Sequence, residues 1–532
     1  IEAALHPDEL NALQRAGADD PEQLGSGADG FYVLGRRNRK PEGLRKGTGS
    51  EVYTYDMALP GMLHAKLLRS PYPHARIVSL DAQHAIQIPG VHAVIAGGDM
   101  PTPYGIIPWT RDEHALAVDK VRYIGDAVAC VAAVDEETAN SALEAIEVRY
   151  EVLPFYLDPE EALTAEATAA PIHEPKREGR NGNITKRVEL EFGPVDSLMN
   201  EADVVVEGDY FFHGTTHAPI EPHCAIGNVD ADGLLTVWSS TQVPHYLQRE
   251  LARVLELDVA RIRVVQPAVG GAFGGKSEPF DLEFCVALLA LRTGRPVKLL
   301  YTREELFYSH RGRHPMNMWY RVGASRDGKL KAVDARSLLD GGAYASFGLV
   351  TTYYSGQLLT APYELESYRF DSTRVYTNKP PCGPKRGHGS VQPRFAFEVS
   401  LDKVAAELGL DPIELRRRNF MGTGRTVNEF RVQSNGFLEC LDAVETASGW
   451  KDKHRKLQHG RGVGVAGSCY ISGTNYPIYP NEMPQAAVQV QVERSGRVSG
   501  NNRRHKEEPD GDAEDHQLTL PRDVEHGKYG IV

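Results

Sequence analysis

The pattern with the clearest chemical meaning in this sequence is a glycine-rich segment at residues 270–277, which reads GGAFGGKS. It matches the spacing G-x-x-x-x-G-K-[S/T] of nucleotide-binding P-loops. Because glycine has no side chain to block an approaching ligand, the segment predicts that backbone N–H groups come close to an anion. That anion is either a nucleotide phosphate or the phosphate or metal-bound oxygen of a larger cofactor.

The elements that flank this segment bear on which ligand it binds. A strand is predicted before it, at residues 261–265, and a helix after it, at residues 281–292. Residues 338–340, Leu-Leu-Asp, could end a magnesium-binding strand. The chain lacks, however, the repeated strand–helix alternation of a doubly wound sheet around this loop. Nucleotide hydrolysis is therefore our second interpretation and not our first.

Two further groups of residues could suggest a metal. His217, Glu221 and His223 are close in sequence, but their spacing with two intervening prolines fits no single helix face, so we assign them to structure. The six cysteines are far apart and show no spacing of a zinc or iron–sulfur site. They indicate reduced thiols in a cytoplasmic protein, and any electron-transfer centres should lie on another chain.

Composition narrows the class of protein. The 532 residues are 41% apolar and 25% charged, which is ordinary for a globular protein of more than one domain. The net charge is -13, and no cluster of basic residues suggests nucleic acid as a partner. No stretch reaches the roughly 18 apolar residues that a membrane span needs.

Several segments resemble, in order, the molybdenum-binding large subunit of the xanthine dehydrogenase/aldehyde oxidase family. Residues 68–77 (LRSPYPHARI) and 121–126 (VRYIGD) resemble its α/β hammerhead domain. Four other segments resemble its first molybdopterin-binding domain. They are residues 217–223 (HAPIEPH), residues 239–242 (SSTQ), the glycine-rich segment and residues 385–389 (KRGHG). Within the family, residues 378–383 (NKPPCG) and the His after Arg-Gly look closest to the 4-hydroxybenzoyl-CoA reductase type.

The resemblance implies an α+β fold in which a hammerhead domain precedes molybdopterin-binding domains, the second of them truncated. The expected organisation is an N-terminal arm (1–45), the hammerhead domain (46–157), a linker (158–184), the first molybdopterin-binding domain (185–435), the start of the second (436–500) and a polar tail outside the fold (501–532).

The resemblance also implies a cofactor and its contacts. The cofactor would be molybdopterin, or its cytosine dinucleotide, carrying molybdenum with no protein ligand. Gln242 would donate its side-chain amide to an oxygen on the metal. The loop residues Gly271, Ala272, Phe273 and Gly274 would contact the metal ligands through backbone N–H groups, with Phe273 excluding water, and Arg386 and Gly387 would anchor the cofactor.

The substrate side of the site is less well defined by the resemblance. His388 and Tyr354 would line the substrate pocket. Some members have a substrate-binding Glu directly after Gly-Gly-Lys, whereas here Ser277 stands there and Glu278 follows, which argues against a purine substrate. The family's general base is a Glu near its C-terminus, and no matching motif occurs in these 532 residues. We therefore expect the chain alone to be incomplete and inactive.

Partners follow from the same resemblance. An iron–sulfur subunit with 2Fe-2S clusters and a flavin subunit with FAD are expected, and a separate C-terminal half-subunit could complete the site. The substrate would be an aromatic, heteroaromatic or aldehyde compound hydroxylated with water, or an aromatic CoA thioester that is reductively dehydroxylated. The alternatives are the P-loop hydrolase and a non-catalytic remnant of the same fold.

Overall fold

The computed structural model describes residue 40 and residues 42–107, 110–174, 182–427, 430–432, 434–470, 488–492 and 498–502. The predicted arm, except for residue 40 and residues 42–45, lies outside these ranges, and so does the predicted tail beyond residue 502. Helices and strands are mixed along the chain, so the predicted α+β class is confirmed.

Nineteen strands and thirteen α-helices lie in the described residues. The strands are β1 (Leu63–Arg69), β2 (Ala75–Asp81), β3 (Val91–Ala96), β4 (Lys120–Val121), β5 (Ala127–Ala133), β6 (Glu147–Val152), β7 (Ile184–Phe192), β8 (Val204–Phe212), β9 (Cys224–Val229), β10 (Leu235–Ser239), β11 (Ile262–Val265), β12 (Val297–Leu300), β13 (Met316–Ala324), β14 (Leu330–Asp340), β15 (Ser367–Val375), β16 (Thr426–Val427), β17 (Phe430–Arg431), β18 (Val488–Val492) and β19 (Val498–Asn502). The helices are α1 (Gly43–Thr48), α2 (Gln83–Ile86), α3 (Glu136–Glu144), α4 (Ala165–Ala169), α5 (Val195–Asn200), α6 (Pro244–Val254), α7 (Asp281–Thr293), α8 (Glu305–Tyr308), α9 (Leu349–Gln357), α10 (Val391–Leu408), α11 (Pro412–Arg418), α12 (Phe437–Ser448) and α13 (Trp450–Lys453).

Local sequence signals account for several of these elements. All seven residues of β5 are buried, as their small apolar side chains predict for a central strand. Asp135 caps α3 by accepting a hydrogen bond from the Thr138 N–H. Gly409, with φ 68°, ends α10, and Asp411 caps α11. Local residues therefore set these helix boundaries.

A seven-stranded sheet joins the first and second parts of the chain. Its order is β11-β10-β9-β12-β1-β5-β3, and β1 runs parallel to β12 with Leu63 opposite Val297. Strands before residue 134 and strands after residue 223 therefore share one sheet and one apolar core. This core fixes β10 and β11, which lead into the residues of the site.

A second sheet carries the rest of the site. Its order is β7-β15-β14-β13-β8, with α9 and α10 packed on one face and α5 on the other. The core beneath α10 includes Tyr320, Phe370 and Phe397. Because α10 begins just after the KRGHG segment, its packing holds that segment at the edge of the core.

Two segments differ from the sequence interpretation. The stretch predicted as a linker packs tightly: Ala162 and Ala167 are buried, and the Asn183 amide donates to both of their carbonyls. The alternating residues 462–466 (GVGVA) predict a strand, but the structure has no strand there. Val463 and Val465 pack on the second core, but residues 462–466 pair with no strand among the described residues.

Candidate cofactor site

The glycine-rich loop lies between β11 and α7, and its backbone is turned by residues with positive φ. Gly271 has φ 106° and Gly274 has φ 93°, angles that side chains disfavour. A Cβ at Gly274 would stand 2.7 Å from the Pro384 carbonyl oxygen. The loop therefore needs glycine there both for its backbone angle and for its close approach to the residue 384–389 segment.

Phe273 is strained and exposed at the same time. Its φ is 55°, which is rare for a bulky residue, and its side chain is 49% exposed. Its carbonyl accepts a 2.9 Å hydrogen bond from the Arg386 N–H. Backbone strain of this kind concentrates at functional sites, and here it places an aromatic ring at the surface beside the loop.

A buried ion pair joins the two ends of the loop. The Lys276 ammonium, 1% exposed, donates to Glu221 Oε2 at 2.9 Å and to the Glu221 carbonyl at 3.1 Å. The same carboxylate oxygen accepts a 2.7 Å bond from the Gly270 N–H. Burial lowers the pKa of Lys276, and the Glu221 carboxylate opposes that shift. Lys276 thus organises the loop from inside the protein.

The two histidines flanking Glu221 also bind the main chain. His217 Nε2 lies 2.7 Å from the Pro384 carbonyl, and His223 Nε2 lies 2.9 Å from the Gly275 carbonyl. Burial lowers the pKa of His217 to about 4, so the ring is neutral and donates its N–H. Both rings support the loop from below.

Gln242 is held by the loop through its side-chain oxygen. Gln242 Oε1 accepts hydrogen bonds from the Gly274 N–H at 3.2 Å and the Lys276 N–H at 3.3 Å. An amide nitrogen could not face two N–H donors, so this contact fixes the orientation of the amide. The exposed Nε2 group, for which no described residue acts as acceptor, is left as a donor beside the loop.

Several other donors around the loop have no acceptor among the described residues. Within the described residues, the backbone N–H groups of Gly271, Ala272 and Phe273 make no hydrogen bond. The exposed Arg386 guanidinium likewise has no partner in that part of the chain. The N–H of Gly274, expected to face the cofactor, instead binds Gln242. This cluster of unpaired donors suits an anionic ligand rich in oxygen acceptors.

Arg313 is a buried residue of the site that the sequence interpretation missed. Its guanidinium donates to the Gly387 carbonyl at 3.2 Å, to Gln392 Oε1 at 3.3 Å and to the Arg386 carbonyl. Burial lowers its pKa to about 10, and it forms no ion pair with any described carboxylate. Arg313 therefore holds the Arg386–Gly387 backbone and adds positive charge behind it.

The two predicted pocket residues lie together beneath this segment. The His388 ring is buried, its Nε2 is hydrogen-bonded to Thr351 Oγ1, and its centroid lies 6.1 Å from the Tyr354 ring. Burial lowers the pKa of His388 to about 3, and Arg313 adds to the shift, so the ring is neutral. Their role toward a substrate stays a prediction.

The two residues after Lys276 turn away from the loop's outer surface. Ser277 Oγ donates to the Gly274 carbonyl at 2.6 Å. Glu278 is buried, accepts from Ser346 Oγ and lies 3.5 Å from the Arg311 Nε. Glu278 therefore presents no free carboxylate beside the loop, and the Ser277 hydroxyl is already bonded within it.

The geometry gives no support to the nucleotide-binding interpretation. The P-loop Lys must reach a phosphate, whereas Lys276 is buried against Glu221. Helix α7 begins at Asp281, four residues beyond Ser277, so no helix N-terminus follows the loop directly. Asp340, which could have held magnesium, instead pairs with Lys379 at 2.6 Å.

Comparison with known proteins bears directly on this donor-lined loop. Residues 48–154 match the model of the aldehyde oxidase and xanthine dehydrogenase a/b hammerhead domain. Residues 176–420, which include every predicted site residue, match the molybdopterin cofactor-binding domain. The nicotinate dehydrogenase large molybdopterin subunit of Eubacterium barkeri is 38% identical over 416 residues, which is 77% of this chain and 95% of that relative. The chain belongs to the xanthine dehydrogenase/aldehyde oxidase family.

Other members of the family are longer. The xanthine dehydrogenase molybdenum-binding subunit of Escherichia coli is 33% identical over 86% of this chain and 62% of its own length. The structure of the aldehyde oxidoreductase from Desulfovibrio gigas superposes with a TM-score of 0.78 at 27% identity, over 92% of this chain and 55% of that chain. This chain thus spans nearly all of one relative and little more than half of others.

The structure brings most of the predicted residues into one place. Gln242, the loop and the Arg386–Gly387 segment are linked by direct hydrogen bonds. Sequence reasoning missed the Lys276–Glu221 pair and Arg313. For the Lys276–Glu221 pair, the only signal in the sequence was that two opposite charges stand in segments that resemble the family. For Arg313 the sequence gives no signal.

Proposed function

We propose that this chain is the cofactor-binding subunit of a complex that hydroxylates an electron-poor carbon of a heteroaromatic or aldehyde substrate with water. The observation that carries the proposal is the cluster of donors without protein acceptors that the loop N–H groups, the Gln242 amide and Arg386 form. Relatives described as dehydrogenases and an aldehyde oxidoreductase support this direction over reductive dehydroxylation.

The residues fit molybdopterin by the chemistry of their donors. Arg386 suits the phosphate of the cofactor or of its cytosine dinucleotide, because a guanidinium binds phosphate oxygens in pairs. The N–H groups of Ala272 and Phe273 and the Gln242 Nε2 suit oxygen acceptors, and a Cβ at Gly274 would disturb the loop that presents them. When bound, the molybdenum cofactor supplies the two-electron chemistry of the reaction.

This chain's own contribution is positioning. Lys276 and Glu221 fix the loop, and Gln242 keeps its amide pointing outward because the loop holds the oxygen. Phe273 covers the loop and limits access of bulk water. The neutral His388, backed by Thr351, and Tyr354 form the wall against which a substrate ring would lie.

The general base is proposed to come from outside the described residues. A base must lie within hydrogen-bond reach of the proton that it removes. Around the loop, the described carboxylates Glu221 and Glu278 are buried in ion pairs, facing inward. We therefore assign the base to a further segment or to a second polypeptide, and we expect the described part alone to be inactive.

Electrons would leave through partner chains. The described residues hold no group of three or more His, Cys, Asp or Glu side chains suited to a metal ion. Relatives whose names mark them as subunits of larger assemblies support an iron–sulfur and a flavin partner. All six cysteines are free thiols, which supports a reducing compartment such as the cytoplasm. No described helix has the length and apolar character of a membrane span.

The origin of the added oxygen tests the proposal. The complex, purified from its native host, is given a panel of heteroaromatic and aldehyde substrates in water enriched in oxygen-18. We expect the label in the hydroxylated product, with electrons recovered in an added acceptor dye. Label from molecular oxygen instead, or hydrolysis of ATP by the same complex, would contradict the proposal.

A further inference from the structure

A short turn at residues 344–347 lies beside the predicted pocket wall, just before helix α9. Ser346 has φ 52°, a left-handed angle that residues with a side chain rarely adopt. The next residue, Phe347, is half-buried, and its ring centroid lies 5.8 Å from that of the His388 ring. Backbone strain of this kind persists only where neighbouring groups hold it. The contacts of the turn therefore decide where the Phe347 ring lies.

Asp112, in the part of the chain that matches the hammerhead domain, holds this turn directly. Its side chain is buried, and Oδ2 accepts a 2.9 Å hydrogen bond from the Ala345 N–H. The same oxygen accepts a 2.5 Å hydrogen bond from Tyr376 Oη, just after β15. Burial raises the pKa of Tyr376, and the Asp112 carboxylate adds to the shift, so the phenol stays protonated and donates. The carboxylate is therefore fixed between the second sheet and the turn.

Other residues of the hammerhead part contact the same segment. Tyr344 Oη donates a hydrogen bond to Asp126 Oδ2 at 2.8 Å. Ile107 is fully buried in an apolar cluster that includes Leu349 and Phe347. The hammerhead part therefore holds the turn and the start of α9 through both polar and apolar contacts.

The neighbouring acid, Glu113, reaches the turn through two further side chains. Arg311 Nη2 donates to Glu113 Oε2 at 2.6 Å, and Arg311 Nε lies 3.5 Å from Glu278 Oε2. Glu278 in turn accepts a hydrogen bond from Ser346 Oγ. This indirect route supports the strained residue, whereas Asp112 binds the turn without an intermediate. Asp112 is therefore the position at which the role of these contacts can be tested.

We propose that Asp112 is a positioning residue for the substrate pocket. By binding the Ala345 N–H, it keeps the Phe347 ring beside His388, where that ring forms part of the wall that a substrate ring contacts. The inference rests on the proposed function, because it concerns the wall of that same pocket. Asp112 acts on substrate binding only through the turn, so its loss should weaken substrate binding and leave the cofactor in place.

Steady-state kinetics test the proposal in the complex, on the ring substrate of the oxygen-18 panel that is turned over fastest. In Asp112→Ala we expect KM to rise about tenfold while kcat stays within about twofold, because substrate binding is weakened and the chemistry is not. Asp112→Asn keeps an oxygen toward the Ala345 N–H and should retain the wild-type KM. Phe347→Ala should raise KM by a similar factor, and the double variant Asp112→Ala/Phe347→Ala should raise it no further, because both changes act on one ring. An unchanged KM in Asp112→Ala, or effects that multiply in the double variant, would overturn the proposal.

Hydrogen–deuterium exchange of the same complexes gives a readout that needs no substrate. In Asp112→Ala, the peptide that contains Ala345 should exchange about tenfold faster, whereas the peptides of β13 should keep the wild-type rate. Glu305→Ala is the control, because Arg69 Nε donates to Glu305 Oε1 at 2.7 Å and joins the same two parts of the chain away from the turn. This control should change neither KM nor the exchange at Ala345.

A milder variant covers the case in which Asp112→Ala does not fold. Tyr376→Phe removes one of the two donors to the carboxylate, and it should raise KM by a smaller factor and speed the exchange at Ala345. If no panel substrate is hydroxylated, the proposed function fails, whereas the exchange still decides whether Asp112 holds the turn. Wild-type exchange at Ala345 in these variants, or an equal rise of KM in Glu305→Ala, would overturn the proposal.

Discussion

The ion pair between Lys276 and Glu221 gives the sharpest mutational prediction. In Glu221→Gln, the Lys276 ammonium, 1% exposed, loses its carboxylate partner at 2.9 Å. Leaving a buried charge unpaired costs about 3–5 kcal/mol. Because the two parts of the chain share one core, 1 kcal/mol shifts the thermal midpoint by at most about 2 °C, and we expect a loss of up to about 6–10 °C. Lys276→Met should cost a similar amount, because it leaves the carboxylate buried.

The double variant Glu221→Gln/Lys276→Met separates the pair from general damage. It removes both charges, so it should be more stable than either single variant, with a coupling of about 2–3 kcal/mol. Lys331→Met is the matched control, because the Lys331–Glu366 pair at 2.6 Å is 29% and 47% exposed and should contribute at most about 1 kcal/mol. Differential scanning calorimetry of the four variants measures these shifts. Additive single effects, or tight binding of ATP and magnesium lost in Lys276→Met, would refute the reasoning.

Three further predictions address the cofactor surface and pH. Gln242→Glu keeps the acceptor toward the loop but removes the outward donor, so the thermal midpoint should hold while molybdenum content and turnover fall; unchanged turnover would count against the role of Gln242. Arg386→Met should lower pterin content with little change in stability, whereas Arg326→Met, at an 87% exposed side chain, should change neither. Glu283 is buried beside Ser239, and burial raises its pKa from 4.5 to about 7. The folded state therefore binds the proton more tightly, and this group lowers stability by about 3 kcal/mol as pH rises from 4.5 to 7. Relative to Glu283→Gln, the wild type should lose thermal stability between pH 5 and pH 8, and parallel profiles would show the pKa to be ordinary.

Local signals in the sequence were sufficient for many elements but not for their assembly. The caps at Asp135 and Asp411 and the stop at Gly409 act within one turn, so they can be read from neighbouring residues. The pairing of Leu63 with Val297 joins positions far apart in the chain, and no local pattern indicates it. For the same reason the sequence interpretation placed the hammerhead and molybdopterin-binding segments in separate units, whereas they share a sheet.

Some residues of the site could be predicted from local sequence and others could not. The glycine pattern indicated an anion, but only the family resemblance brought Gln242 and Arg386 to it, because hydrogen bonds between distant segments leave no spacing to read. The Gly274 N–H was expected to face the cofactor and instead binds Gln242, since the amide oxygen needs donors of its own. The P-loop spacing predicts Lys276 as a phosphate ligand, whereas the structure buries its ammonium against Glu221.

The most direct test of the central claim compares two glycines. Gly274 and Gly294 both have positive φ, 93° and 62°, so an alanine strains the backbone at either position. Only at Gly274 does the added Cβ meet the loop's neighbours, at 2.7 Å from the Pro384 oxygen, whereas nothing lies within 4 Å at Gly294. Molybdenum and oxidised pterin fluorescence are measured in the purified complexes. We predict that Gly294→Ala retains both at the wild-type ratio and that Gly274→Ala loses most of both; full retention in Gly274→Ala, or no molybdenum in the wild type, would contradict a cofactor site at this loop.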